Sequence, residues 1–236
     1  SVGIIGMGKM GMTHAAMLSV LSPGTLGGIF EADVKTHTTL RSLGIKAPIY
    51  RTLEELVSSG IGAAILCTPT FTHFELARVL LEKRIPCLIE KPLAQDYKTA
   101  QSLAQYSKEF ETLLAVGYSV EYDPLFVKAR QLLADSVIGT VNRYWAWVEH
   151  GEVFGPKKGW LFQKGKSGGG VIINPSPHML YMLLNLFGPP QSLRANLKSI
   201  YSSVEDEAIV FFNYPKIQGK LWASWSVPDK PFLDLS

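Results

Sequence analysis

Between residues 2 and about 120 the chain repeats one pattern: a short apolar run, then a longer segment whose apolar residues recur at helical period. The apolar runs fall at 2–5, 26–30, 49–50, 63–67, 87–89 and 113–116, with helical readings at 9–21, 33–43, 52–58, 71–83 and 95–109. Strands separated by helices of crossover length can pair in parallel, whereas strands joined by tight turns cannot. The pattern therefore predicts a doubly wound parallel sheet, a Rossmann domain, over residues 1–120. Thr52 and Glu55 stand three apart, the spacing of a reciprocal cap at a helix start.

Past an amphipathic stretch at 124–134 the pattern changes. All five tryptophans lie beyond residue 140, and β-rich stretches appear at 140–149, 192–200, 207–214 and 217–227 with one helical reading near 175–187. Strands without crossover helices predict an α+β domain over residues 121–236, a mostly antiparallel open sheet with a helix on one face. The overall class is α/β.

Composition supports folding and excludes some functions. Hydrophobic residues make up 47% and charged residues 18%, enough apolar surface for a core. The net charge of 23 − 20 = +3 is scattered, leaving no basic stripe to follow a nucleic-acid backbone. The most apolar stretch, 171–187, is interrupted by Asn174, two prolines and His178, so no membrane span is expected. Cys67 and Cys87 are too few for a disulfide framework, and with no charged leader at the N-terminus a reducing, cytoplasmic setting is expected.

Gly6-Met-Gly8-Lys9-Met10-Gly11 follows the first strand and opens the first helix, the context that a dinucleotide fingerprint requires. Gly6 is expected to turn the chain, Gly8 to admit a pyrophosphate against the backbone, and Gly11 to let helix pack on strand. The phosphates would then meet unpaired N–H groups at a helix start. Glu31, about 20 residues on at the end of the second strand, is placed to accept hydrogen bonds from ribose hydroxyls and to repel a 2′-phosphate, favouring NAD over NADP. Cys67-Thr68-Pro69-Thr70 ends the fourth strand with His73 close behind, and Glu90-Lys91-Pro92 ends the fifth. Strand ends on this side form the ligand crevice of such a sheet, which directs Lys91 towards a nicotinamide. Gly159 to Ser167 imitates a phosphate-binding P-loop but has five residues between its glycines where four are needed. No metal-ligand spacing and no nucleophile elbow occur, so neither is assigned.

Taken in order, Gly6-x-Gly8-x-x-Gly11-x-x-His14, Cys67-Thr-Pro-Thr-x-x-His73 and Glu90-Lys91-Pro92 resemble the glucose-fructose oxidoreductase/inositol dehydrogenase family of NAD(P)-dependent oxidoreductases. Ser167-Gly168-Gly169-Gly170-Val-Ile-Ile-Asn174-Pro-Ser-Pro-His178 is similar to that family's glycine-rich entry to its active-site helix. The resemblance implies hydride transfer between a nicotinamide cofactor and a hydroxyl-bearing carbon of a sugar, polyol or sugar derivative. It makes Lys91 and His178 the proton-handling candidates, with Lys91 the better base and Asn174 holding a neighbouring hydroxyl. Two positions depart from the family pattern: Asn174 stands where an Asp is usual, and Tyr181 where an acid is usual three residues past the histidine. An amide does not titrate, so His178 lacks the expected carboxylate.

Two alternatives stay open at this level: a regulatory protein that retains the dinucleotide site without turnover, and a lyase or glycosidase that uses transient oxidation. The family usually continues beyond Trp222-Ala-Ser-Trp225-Ser-Val-Pro228, so the second domain is expected to be incomplete. Its open sheet is expected to carry a homodimer or homotetramer contact.

Overall fold

The computed structural model describes residues 1–154, 159–227 and 233–235, which divide into two compact units, Ser1–Gly117 and Tyr118–Ser236.

In the first unit six strands pair in the order β3-β2-β1-β4-β5-β6, every pair parallel. They are β1 (Val2–Ile5), β2 (Leu26–Phe30), β3 (Ile49–Tyr50), β4 (Ala63–Leu66), β5 (Cys87–Ile89) and β6 (Leu114–Val116). The helices between them are α1 (Lys9–Leu21), α2 (Val34–Ser42), α3 (Leu53–Ser58), α4 (His73–Glu82) and α5 (Tyr97–Glu109). Successive side chains of a strand point to opposite faces, so each face needs its own cover. Ile4 enters the cluster that holds Ala15 of α1 and Leu40 of α2, while Ile5 enters the cluster of Leu56, Leu80 and Leu103 from α3, α4 and α5. Two helix layers therefore sandwich the sheet, and the order reverses direction between β1 and β4, the switch point at whose strand ends sheets of this kind take their ligands.

The anticipated cap at the start of α3 is present. Thr52 Oγ1 accepts from the Glu55 N–H at 3.2 Å, and the Glu55 carboxylate accepts from the N–H groups of Thr52 and Arg51. The helix of only six residues is thereby fixed at its start, where four N–H groups lack partners within the helix.

The second unit opens with α6 (Pro124–Ala134), N-capped by Asp123, and builds a sheet in the order β11-β7-β10-β9-β8. Its strands are β7 (Arg143–Glu149), β8 (Ser192–Lys198), β9 (Glu207–Asn213), β10 (Gln218–Ser224) and β11 (Leu233–Leu235). Between β7 and β8 lie α7 (Lys164–Ser167) and α8 (Pro177–Phe187). The sheet is mixed: β7 and β10 run parallel and the other pairs antiparallel. The mostly antiparallel sheet is as expected, and its one parallel pair and the strand β11 are additions to that expectation. Pairing of segments about 75 residues apart leaves no mark in local periodicity.

One face carries the core. Tyr144, Ala146, Val148, Val210, Phe212 and Leu221 are buried with Met179 and Leu183 of α8. On the other face Trp145 stands opposite Lys220 and then Phe211, and Trp147 opposite Trp222 and then Ile209. All seven residues of the edge strand β8 are exposed.

Candidate functional site

In the first unit the three glycines of the fingerprint differ in what surrounds them. Gly6 has φ +86°, a conformation unfavourable for a residue with a side chain, and a Cβ there would lie 2.6 Å from Thr68 Cγ2. At Gly11 a Cβ would lie 2.0 Å from the Gly6 carbonyl oxygen, so only glycine lets α1 start against the turn. Gly8 is the opposite case: a Cβ there would meet nothing within 4 Å. Gly8 is also the N-cap of α1 and supplies no side-chain cap, and the first turn of the helix contains no acidic residue. A partly positive helix start with open space in front of it suits an anion. Lys9 and Met10, the first residues of α1, are both exposed.

Glu31 is tied to this loop. One carboxylate oxygen accepts from the Met7 N–H at 2.7 Å and the other from the Asp33 N–H at 2.8 Å. Each oxygen retains a further lone pair, so the carboxylate can still accept from a diol. Asp33, which caps α2 and whose carboxyl is lowered by its bonds to the N–H of Lys35 and the Thr36 hydroxyl, places a second carboxylate close by.

Thr68, Pro69 and Thr70 form the bend after β4. The Thr72 hydroxyl donates to Thr68 Oγ1 at 2.7 Å, and Thr70 is buried. His73, expected at the cofactor, is only 1% exposed. Its Nε2 lies 2.9 Å from the Thr68 oxygen, and its Nδ1 lies 3.1 Å from the Pro92 oxygen. Burial holds the ring below the usual histidine range, against the carbonyls that favour its charge. The ring joins the loops after β4 and β5 and has almost no surface left to offer a ligand.

Glu90 and Lys91 follow β5, and the Lys91–Pro92 bond is cis. Burial pushes the Lys91 ammonium below its usual range, with the Glu90 carboxylate opposing. Glu90 itself reaches α1, where its Oε1 lies 2.8 Å from His14 Nε2, and both side chains are largely buried. Cys67 nearby is raised to about 12 by burial and by Glu90, so its thiol stays protonated and unreactive.

In the second unit the glycine-rich segment is packed against the chain itself. A Cβ on Gly170 would lie 1.9 Å from the Glu205 oxygen, and one on Gly169 would lie 2.8 Å from Ile173 Cγ1. The Val171 N–H donates to that Glu205 oxygen at 2.7 Å. The following turn is closed by the Asn174 N–H to the Gly170 oxygen and by the Ser176 hydroxyl to the Val171 oxygen. His178, the second residue of α8, and Asn174 are both half-buried.

Tyr181 lies one helical turn beyond His178, on the same side of α8. Its ring stacks on Tyr118 with centroids 4.6 Å apart, and the edge of His178 meets Tyr118 at 6.1 Å. The Tyr181 hydroxyl donates to the Glu121 carboxylate, which also pairs with Arg130 at 2.9 Å. Neither Tyr118 nor Glu121 was singled out in the sequence. The i,i+3 spacing of His178 and Tyr181 was readable there, whereas a carboxylate 60 residues away from Tyr181 was not. Among the described residues no group of three or more potential metal ligands occurs, and no helix is long and apolar enough to cross a membrane.

Comparison with known proteins matches residues 1–118 to the model of an oxidoreductase family with an NAD-binding Rossmann fold and residues 126–235 to the GFO/IDH/MocA C-terminal domain. An uncharacterized oxidoreductase, YdgJ, of Escherichia coli K12 is 27% identical over 221 residues, 91% of this chain and 62% of its own length. Myo-inositol dehydrogenase Hyg17 of Streptomyces leeuwenhoekii is 31% identical over 143 residues, 61% of this chain and 43% of its own. Among solved structures, that of GenD2 from gentamicin A biosynthesis in complex with NAD superposes with a TM-score of 0.88 at 27% identity, covering 99% of this chain and 68% of that one. The chain thus spans less than two thirds of the length of these two curated relatives. With both halves matched, and with the glycine turn, its open helix start and the tethered acid all in the first, the chain belongs to the GFO/IDH/MocA oxidoreductase family, whose N-terminal part is an NAD-binding Rossmann fold.

Proposed function

We propose that this chain forms the core of an NAD-dependent oxidoreductase acting on the hydroxyl or carbonyl carbon of a sugar, polyol or sugar derivative. The observation that carries the reading is the open, uncapped start of α1 behind Gly8 with Glu31 hydrogen-bonded to the same loop. Gly6, Gly8, Lys9, Met10 and Gly11 would hold the pyrophosphate and Glu31 the ribose, with Thr68, Pro69, Thr70, Glu90 and Lys91 lining the rest of the crevice. His73 supports that crevice from beneath. The bound nicotinamide supplies hydride acceptance or donation. Glu31 and Asp33 together disfavour a 2′-phosphate, which supports NAD over NADP.

Lys91 takes the proton from the substrate hydroxyl. Its desolvation favours the neutral amine, the form a general base needs. His178 hydrogen-bonds the reacting oxygen, and Asn174 holds a neighbouring hydroxyl. Names among the relatives, such as myo-inositol dehydrogenase, support the substrate class. Exposed Trp145 and Phe211 support association of copies through the outer face of the second sheet, and the free Cys67 and Cys87 support a reducing, cytoplasmic setting.

The test is a panel of polyols and sugars with NAD, followed by the absorbance of the reduced cofactor. Reduction with at least one member supports the reading. Tight NAD binding with no turnover on any member moves the chain to the regulatory alternative, which the amide at Asn174 and the phenol at Tyr181 motivate. In that case Asn174→Asp, which returns a carboxylate to the position, should create turnover.

A further inference from the structure

His14 is part of neither the glycine turn nor a helix cap, yet it turns back from α1 to the end of β5. Its Nε2 lies 2.8 Å from Glu90 Oε1, with side-chain exposures of 18% and 13%. A carboxylate that far out of water requires a partner. The Glu90 carboxylate also faces Gly117 at the end of β6, where a Cβ would come within 3.4 Å of it. It thus lies between α1 and the end of the sheet, one residue from Lys91.

We infer that His14 and Glu90 are a positioning pair for Lys91: His14 fixes the carboxylate, and the fixed carboxylate sets the protonation of the neighbouring amine. The inference rests on the reading of Lys91 as the proton carrier. Among the described residues His14 from α1 pairs with Glu90, and Cys67 after β4, His73 from α4 and Lys91 itself lie within reach of its charge. Cys67 stays a thiol because its value is pushed to about 12, and His73 stays neutral because burial holds it below the usual histidine range. An anion beside an amine favours its protonated form, so Glu90 holds back the loss of the Lys91 proton that desolvation promotes. Burial and the Glu90 carboxylate therefore act on this one amine in opposite directions.

The experiment reads Lys91 directly. The intact chain is acetylated with limiting acetic anhydride from pH 6 to 10, and modification of Lys91 is measured by peptide mass spectrometry relative to the exposed Lys98. Glu90→Gln should raise the relative reactivity of Lys91 at pH 8 about three- to tenfold, the effect of lowering its titration by about half to one unit. His14→Gln, which retains a hydrogen-bond donor, should stay within about twofold of the parent. His14→Leu leaves the carboxylate to take up a proton or turn to solvent, and should shift the curve in the same direction as Glu90→Gln. Far-ultraviolet circular dichroism establishes that each variant is folded, and the exposed Lys98 corrects for reagent. If Glu90→Gln follows the parent within twofold, the coupling is overturned. If Glu90→Gln shifts and His14→Leu does not, the role of His14 is overturned. Should Lys91→Met leave turnover intact, Lys91 is not the proton carrier, and these acetylation curves still decide whether the pair controls its charge.

Discussion

Gly6 to Gly11 and Gly168 to Gly170 are both sets of three glycines ahead of a helix, and the structure uses them in opposite ways. In the first set the outer two glycines are confined by the chain's own backbone and Thr68, while Gly8 faces open space. In the second, Gly169 and Gly170 are pressed against Ile173 and Glu205, and Gly168 turns the chain with φ +81°. Glycine content therefore does not by itself mark a phosphate cradle. Gly8 combines that open space with an uncapped helix start.

Four outcomes would break or sharpen that contrast. The largest is expected at the closed positions. A methyl group on Gly170 or Gly11 has to displace backbone, so Gly170→Ala and Gly11→Ala should each destabilise their unit by about 3 kcal/mol. Thermal denaturation should show this as a drop on the order of 10 °C. A melting curve unchanged in Gly170→Ala would mean that the second loop is as open as the first.

Next comes the proposed proton carrier. Lys91→Met should lower turnover by about 10²-fold, close to 2.7 kcal/mol in the barrier, with NAD affinity within a few-fold of the parent. Steady-state rates and cofactor titration separate the two quantities, and near-normal turnover would remove Lys91 from proton transfer.

A smaller effect with a sharper meaning is expected at Gly8. Gly8→Ala introduces a methyl that the chain does not touch, so the melting temperature should hold while NAD binding weakens about tenfold. Calorimetric titration reads the affinity, and unchanged binding would show that the open space is not where the pyrophosphate lies.

The smallest effect concerns Glu121, the carboxylate that Tyr181 of α8 reaches. The Tyr181 hydroxyl, and then Arg130, hold the Glu121 carboxyl below its ordinary range. A carboxyl depressed in the folded state adds stability above its unfolded value and loses it as pH falls through the folded one. Tyr181→Phe removes the larger cause, so stability should fall less steeply with acidification than in the parent. Urea midpoints collected between about pH 5 and 2 would show the difference. Parallel curves would mean that Glu121 depends on Arg130 alone.

The ease with which each half could be read follows the same division. Short apolar runs alternating with segments of period 3.6 marked every strand and helix of the first unit, because each strand there is followed by its own crossover helix. The cap at Thr52 and the separation of Gly6, Gly8 and Gly11 into turn, approach and packing positions are local matters of backbone geometry. In the second unit β7 pairs with β10 across about 75 residues, β11 returns to the far side of β7, and Glu205 covers a loop more than 30 residues earlier. No local pattern encodes such pairings.

The sequence by itself determined the Rossmann class of the first half, the family resemblance, the candidate site residues and the loss of two acids at Asn174 and Tyr181. These follow from residue type and short spacing, which local conformational preference translates directly. Tertiary structure decided what each residue meets: that His73 is buried between two loops, that His14 reaches Glu90, and that Glu121 comes to Tyr181. Contacts of that kind depend on which faces burial turns together, and burial is a property of the whole packed chain, not of any segment within it.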